Sequence, residues 1–148
     1  MRYKDYLAGL PDEFCPFCVP QNRSFIENDS ALLTYALAPY HPHHLLVVPK
    51  RHVLSSLEIS NEETVELWQL IRCGMQVLRE LGYKDYSVLV REGEVGGIKS
   101  IAHLHYHIIP NDRIGDLDVN GEGRRILKEE EIAALRKEID SVIGVCPL

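Results

Sequence analysis

His103-Leu104-His105-Tyr106-His107-Ile108-Ile109 decides the fold, because three histidines alternate there with apolar residues. Successive side chains of a β-strand point to opposite faces, so the alternation predicts a strand with Leu104, Tyr106 and Ile108 toward the core. The imidazoles then share the other face, with neighbours about 6 to 7 Å apart and the outer pair about 13 Å apart. One metal ion cannot bind all three, so we expect a division of roles along a groove.

The rest of the chain alternates between apolar runs and turn residues. We predict strands at 31–37, 44–48, 86–91 and 100–109, helices at 60–81 and 129–143, an irregular region at 1–30, and loops at 92–99 and 111–124. Ser60 and Glu63 form a capping box for the first helix, and Gly82 ends it. Its predicted buried stripe consists of Trp68, Ile71, Met75 and Leu78. The first two strands form a hairpin, and the whole pattern predicts an α+β fold with an antiparallel sheet.

Length and composition bound the class of protein. The 148 residues, 45% hydrophobic and 26% charged, fit one globular domain over 1–148. A net charge of −6 argues against a nucleic-acid partner. The N-terminus lacks a signal-peptide core, and no apolar run reaches the roughly 18 residues of a membrane span. With Cys73 and Cys146 isolated, the four cysteines do not form a disulfide framework. We therefore expect a cytoplasmic protein with no membrane partner.

Cys15-Pro16-Phe17-Cys18 has a spacing that lets two thiolates bind one tetrahedral zinc ion. Two other interpretations stay open, namely a pair of small buried side chains and a redox pair. A Cys2His2 site needs two imidazoles besides. The candidates are His41, His43, His44, His52 and the three histidines of 103–107, and spacing alone does not choose among them.

The glycine-bearing segment 93–100 is similar at a glance to a phosphate-binding P-loop. That motif requires glycine where Ile98 stands, and it must open a helix, whereas the following residues alternate like a strand. A P-loop is therefore rejected. The loop around Gly97 can still present backbone N–H groups to an anion, with Lys99 and Ser100 beside it, or it is a plain connecting turn.

The run 103–109 resembles the signature of the histidine triad (HIT) family of nucleotide hydrolases and transferases, in which three histidines alternate with hydrophobic residues. The segment Pro42–His52 is similar to the family's upstream block, where a histidine opens an apolar strand that ends in Pro-Lys-x-His. The resemblance covers residues 13–110 and leaves the C-terminal loop and helix at 111–148 outside. It implies a HIT-like antiparallel sheet of about five strands with two main helices, and a homodimer.

The resemblance also implies roles for single residues. His105 would be the nucleophile that attacks the α-phosphorus and carries the nucleotidyl group, and His107 and His44 would contact the phosphate oxygens. Ser100 would contact the leaving group. The implied substrate is a purine nucleotide ester or a dinucleoside polyphosphate, and water, phosphate or a second ester would accept the nucleotidyl group.

In the zinc-bearing branch of the family, four residues hold a structural zinc ion. Cys15, Cys18, His52 and His103 match them, which implies a closed site that stabilises the fold. Two alternatives remain. One is a zinc-dependent hydrolase in which a His-x-His pair binds the metal and activates water, and the other is a nucleotide-binding interaction module with incidental turnover.

The chain departs from the family pattern where many members have Asn-Glu-Gly and a glutamine before the serine. Here Arg91 replaces the asparagine and Lys99 replaces the glutamine. Both changes add positive charge and favour a more anionic leaving group or acceptor. We therefore expect Arg91, Lys99 and Gly97 to bind substrate, although Lys99 fits a solvated loop residue equally well.

Overall fold

The computed structural model describes residues 1–18, 24–95, 99–111, 126 and 128–141. The chain divides into two compact units, 1–113 and 114–148. The helices and strands are α1 (Tyr3–Ala8), β1 (Ile26–Glu27), β2 (Ala31–Tyr35), β3 (Leu45–Pro49), a 3-10 turn (Ser56–Glu58), α2 (Asn61–Glu80), β4 (Tyr86–Val90), β5 (Tyr106–Pro110) and, in the second unit, α3 (Glu129–Asp140).

The first unit is built on a five-stranded antiparallel sheet in the order β1-β2-β3-β5-β4. This confirms the predicted α+β fold, and β2 and β3 are neighbours as the hairpin requires. The histidine strand β5 lies between β3 and β4, and His107 is in register with Leu46 on one side and Leu89 on the other. Both flanking strands therefore fix the position of His107.

Helix α2 covers one face of the sheet. Its buried residues Leu67, Leu70, Ile71 and Leu78 pack in one cluster with buried side chains of β2, β3 and β5, and Gly74 is buried as well. A Cβ atom on Gly74 would lie 2.5 Å from Cδ1 of Ile108 and 3.3 Å from Cδ1 of Leu33. Because the helix backbone approaches the sheet so closely, glycine is the residue that fits there. The alternation of the strands leaves Leu46 and His107 for the opposite face.

Helix α2, predicted over 60–81, begins as expected. The Ser60 hydroxyl accepts from the backbone N–H of Glu63, and the Glu63 carboxylate accepts from the N–H of Ser60, which confirms the capping box. The prediction for Trp68 is wrong, because this side chain is 43% exposed. It lies six residues from Gly74, or about 120° around the helix from the centre of the buried face.

The strand predicted from residue 100 begins only at Tyr106. The backbone N–H of Leu104 donates to the carbonyl of Val53, and that of His103 donates to Ile101, so residues 101–105 leave the ladder. Their alternation survives nevertheless, and Leu104, Tyr106 and Ile108 belong to the core as expected.

The region predicted as irregular contains α1 and the two-residue strand β1. Helix α3 ends at Asp140, and the last predicted helical residues, 142–143, lie outside the described part of the chain, as does most of the 111–124 loop. Within the described ranges, no helix combines the length and the apolar character needed to cross a bilayer.

Candidate active site and metal centre

A cleft of about 340 Å³ opens on the sheet face opposite α2. This volume lies in the range of small-molecule sites. Its polar lining brings together five residues that the sequence singled out: His44, Arg91, Ser100, His105 and His107. Apolar and aromatic side chains form the rest of its wall, among them Tyr3, Tyr6, Phe17 and Tyr40. The cleft therefore combines aromatic surface with converging donors.

His105 has a fixed tautomer. Its Nδ1 lies 2.8 Å from the backbone carbonyl of His103, and a carbonyl only accepts, so Nδ1 carries the hydrogen. The other ring nitrogen, Nε2, then keeps its lone pair. The ring is 7% exposed and lines the cleft, and burial holds the pKa of His105 below its ordinary value. His105 is thus a neutral imidazole with an available lone pair.

His44 and His107 form a row with donors at both ends. The backbone N–H of Tyr40 donates to Nδ1 of His44 at 3.2 Å, and Nε2 of His44 lies 2.9 Å from Nδ1 of His107. At the far end, Nη1 of Arg91 lies 3.3 Å from Nε2 of His107. Each neutral imidazole offers one hydrogen and one lone pair, whereas the peptide N–H and the guanidinium only donate.

The three contacts of this row cannot all be hydrogen bonds. If Tyr40 donates to His44, then His44 donates to His107, and the remaining N–H of His107 faces another donor on Arg91. An oxygen anion between His107 and Arg91 would accept from both. Because a further proton would add a second conflict, the row favours neutral imidazoles. Burial, followed by the neighbouring His105, His44 and Arg91, lowers the pKa of His107 to about 3.

Arg91 is held at this position by aromatic side chains. Its guanidinium carbon lies 5.8 Å from the ring centroid of Tyr40, within the range of a cation–π contact. The Tyr40 ring stacks in turn on His44, with centroids 5.7 Å apart and planes 23° apart. The side chain of Arg91 is therefore positioned in the cleft, not extended into solvent.

The glycine-bearing loop is tied to the segment after His52. Lys99 is 3% exposed, and its ammonium donates to the carbonyl of Leu54. The Glu92 carboxylate accepts from the backbone N–H of Ser56 at 2.9 Å. Lys99 does not line the cleft, so this placement favours a positioning role over the substrate contact that the sequence suggested. Gly97 lies outside the described residues.

Four side chains converge beside the cleft. The ligand atoms of Cys15, Cys18, His52 and His103 lie within 4.8 Å of one another. Nδ1 of His103 is 3.3 Å from Sγ of Cys15, and Nδ1 of His52 is 2.9 Å from Sγ of Cys18. Burial and the nearby Cys15 thiol raise the pKa of Cys18 to about 11, a penalty on thiolate formation that a bound cation would offset.

The donor set fits a metal of the zinc type. Nε2 of His103 donates to the carbonyl of Pro49 at 2.8 Å, so Nδ1 presents its lone pair to the two sulfurs. A second hydrogen bond of this kind is the usual support of a metal-binding histidine. Two sulfurs and two imidazole nitrogens complete a tetrahedral set, and the cluster does not include His105.

Several residues of the cleft were missed by the sequence interpretation. Phe17, treated there as a spacer, packs against His103 at 5.7 Å and His105 at 5.2 Å between ring centroids. Tyr40 lies between the predicted strands 31–37 and 44–48, and no functional role was expected of it. Tyr3 and Tyr6 lie in the region predicted as irregular, where their spacing of three residues was the available signal of a helix face.

Comparison with known proteins gives the family that this chain matches. A family model of the HIT domain matches residues 19–114. The chain is similar to the adenosine 5'-monophosphoramidase hnt1 of Schizosaccharomyces pombe, with 35% identity over 72% of this chain and 77% of that protein. It is also similar to a bis(5'-adenosyl)-triphosphatase of Dictyostelium discoideum, with 29% identity over 80% and 79% of the two chains.

Among solved structures, the fold is similar to that of a HIT family protein from Bacillus subtilis. The TM-score is 0.64 at 24% identity, covering 88% of this chain and 97% of that one. A HIT family protein from Bacillus anthracis gives a TM-score of 0.68 at 19% identity, covering 91% and 99%. At these identities the likeness shows the fold alone.

Proposed function

We propose, from the fact that this chain belongs to the HIT domain family, that it is a nucleotide hydrolase or nucleotidyltransferase acting at the α-phosphorus of its substrate. Relatives are named as enzymes that act on a nucleoside phosphoramidate and on a dinucleoside triphosphate. The observation that carries the proposal is the tautomer of His105, whose Nδ1–H donates to the His103 carbonyl and leaves Nε2 as a nucleophile in the cleft.

The first step forms a covalent intermediate. The Nε2 lone pair of His105 attacks the α-phosphorus, and the bond from phosphorus to the leaving group breaks, so that its electron pair departs with that group. The ring then carries positive charge, which the hydrogen bond from Nδ1 to the His103 carbonyl stabilises. No separate base is needed, because a neutral imidazole attacks without losing a proton.

The second step releases the nucleotide. The oxygen of water, or of an acceptor such as phosphate, attacks phosphorus, and the electron pair of the P–N bond returns to Nε2. When water is the acceptor, one of its protons neutralises the charge that the leaving group took away in the first step. The product is then a nucleoside monophosphate. The non-bridging oxygens would accept from His107 and Arg91, which relieves the conflict between these two donors.

Ser100 lines the same cleft and would donate to the leaving group. Lys99 and Glu92 would act through the backbone, because they tie the loop before Ser100 to residues 54–56. Of the two added positive charges, only Arg91 lines the cleft, so Arg91 and not Lys99 would bind an anionic group of the substrate.

We also propose that zinc is the ion held by Cys15, Cys18, His52 and His103. When bound, it would stabilise the fold, since four protein ligands leave no position for a reactive water. The cluster would fix the Cys15–Cys18 segment, and hence Phe17, against the nucleophile. We retain a cytoplasmic location and a homodimer as parts of the proposal, and the exposed Val65 and Trp68, about 60° apart around α2, offer an apolar surface for pairing.

The covalent intermediate gives a direct test. Wild type and His105→Asn are incubated with a dinucleoside triphosphate labelled at the α-phosphorus and then quenched. We expect acid-labile, base-stable label on the wild type alone, and a loss of turnover on the order of 10³-fold or more in the variant. His43→Asn is the matched control, because His43 is exposed, bonds Tyr83 and lies outside the cleft. Full activity of His105→Asn would exclude the mechanism.

A further inference from the structure

Helix α1 brings two tyrosines to the cleft without contributing to the core. Tyr3 and Tyr6 line the cleft together with His105 and Ser100, yet none of the six residues of α1 is buried. The helix also precedes the region 19–114 that the family model matches. Core packing therefore does not explain these two aromatic residues. The shared architecture of the HIT domain does not explain them either, because they lie outside the matched region.

The two rings are stacked nearly parallel to each other. Their centroids lie 6.4 Å apart and their planes differ by 16°. Tyr3 is 36% exposed, so its ring remains accessible within the cleft. Nearly parallel, accessible aromatic faces are the surfaces on which nucleobases stack, with little dependence on the identity of the base.

The surface lies on the leaving-group side of the site. The phenol oxygen of Tyr3 is 3.0 Å from Oγ of Ser100, the residue proposed to contact the leaving group. If the phenol donates to Oγ, the Ser100 hydroxyl hydrogen is left for an oxygen of the departing group. A base that the departing group carries, joined to that oxygen through phosphate and ribose, would then lie on the side of the cleft that Tyr3 and Tyr6 line.

We infer that Tyr3 and Tyr6 form a subsite for the base of a nucleotide leaving group. This inference rests on the proposed function and narrows its substrate class to dinucleoside polyphosphates, in which both ends carry a base. A substrate with a small leaving group, such as a nucleoside phosphoramidate that releases ammonia, leaves the subsite empty. The two tyrosines thus determine specificity without entering the bond-breaking step.

The test compares kcat/KM for bis(5'-adenosyl) triphosphate and for adenosine 5'-phosphoramidate in each variant. Tyr3→Leu and Tyr6→Leu should each lower the ratio of the two values about ten-fold, which is the lower range of one stacking contact. Tyr3→Phe keeps the ring but loses the hydrogen bond to Ser100, so its ratio should lie between those of the wild type and Tyr3→Leu. Tyr35→Leu is the matched control, because Tyr35 is equally exposed at 37% and lies outside the cleft.

Retained phosphoramidate turnover shows that each variant is folded. An unchanged ratio in both leucine variants would overturn the subsite, whether kcat/KM stays the same or falls equally for both substrates. If the wild type turns over neither substrate, the proposed function itself fails. These two failures are therefore distinguishable.

Discussion

At the scale of single residues, the row that links Tyr40, His44, His107 and Arg91 holds one donor too many. Its two imidazoles accept twice and donate twice, while the groups at both ends only donate. The cleft is thus prepared for an oxygen anion before any ligand enters. Because Arg91 is the charged member of the row, it is the residue whose removal should weaken binding most directly.

Arg91→Asn should lower kcat/KM for a nucleotide substrate by about 10- to 100-fold, the effect of one charge-assisted hydrogen bond. Steady-state kinetics measures this, with Arg72→Asn as the control because Arg72 is exposed on α2. Arg91→Lys should recover only part of the loss, since an ammonium cannot reproduce the planar guanidinium. Wild-type kcat/KM in Arg91→Asn would contradict an anion site at this position.

His107 should make stability depend on pH. Its pKa is about 3 in the folded chain, against an ordinary value near 6.5, so between these pH values the unfolded chain binds the extra proton. The contribution of His107 to the free energy of unfolding is therefore fully present above pH 6.5. As the pH falls from 6.5 toward 3, it is lost by up to about 1.4 kcal/mol per pH unit.

The measurement is the free energy of unfolding of wild type and His107→Gln from pH 7 to 4. The variant should show the shallower decline with acid, and the comparison cancels the other groups that titrate in both proteins. Parallel curves would show that His107 does not carry this pH dependence.

At the scale of elements, the sequence predicted those parts that local chemistry determines. The capping box placed the start of α2, and apolar runs bounded by turn residues placed β2, β3 and β4 to within about two residues. Alternation extended β5 too far toward residue 100, because the bond from Leu104 to Val53 that interrupts the ladder joins residues distant in sequence. Helix α1 escaped prediction because it buries no residue and so has no apolar stripe.

The candidate site likewise has a part that the sequence predicted and a part that it did not. Residue types and spacing indicated the three histidines of 103–107 and the Cys-x-x-Cys pair, and the family resemblance singled out His105, whereas the hydrogen-bond directions around His107 required the structure. Lys99 illustrates the limit most clearly. A lysine beside a glycine loop suggests an anion contact, but its ammonium turns to the carbonyl of Leu54.

The contact between α2 and the sheet makes Gly74 a sensitive position. A side chain there would overlap Ile108 and crowd Leu33, both fully or almost fully buried, so Gly74→Val should destabilise the protein by about 1–3 kcal/mol. Gly74→Ala should cost less, because the better helix propensity of alanine, worth about 1 kcal/mol, offsets part of the clash.

Chemical denaturation measures both effects. Gln76→Val is the control, since it places the same side chain on the exposed side of α2. A Gly74→Val variant as stable as the control would show that the helix can move away from the sheet without cost.

At the scale of the whole molecule, the proposed zinc ion would join segments far apart in the chain. Cys15→Ser should deplete bound zinc and lower the thermal midpoint by roughly 5–10 °C, because one of four ligands is lost. Metal analysis and calorimetry measure the two effects. Cys73→Ser is the matched control, as this cysteine stands outside the cluster. Undiminished zinc in Cys15→Ser would remove that residue from the site.

The strand order has a consequence for synthesis. The interior strand β5 is the last of the five to leave the ribosome, and until it does, β3 has an open edge of apolar residues, Leu45–Pro49. A nascent chain that stalls before Tyr106 would expose that edge to other chains. Unpaired apolar edges of this kind seed aggregation, so truncated products should be recovered as insoluble material or be degraded.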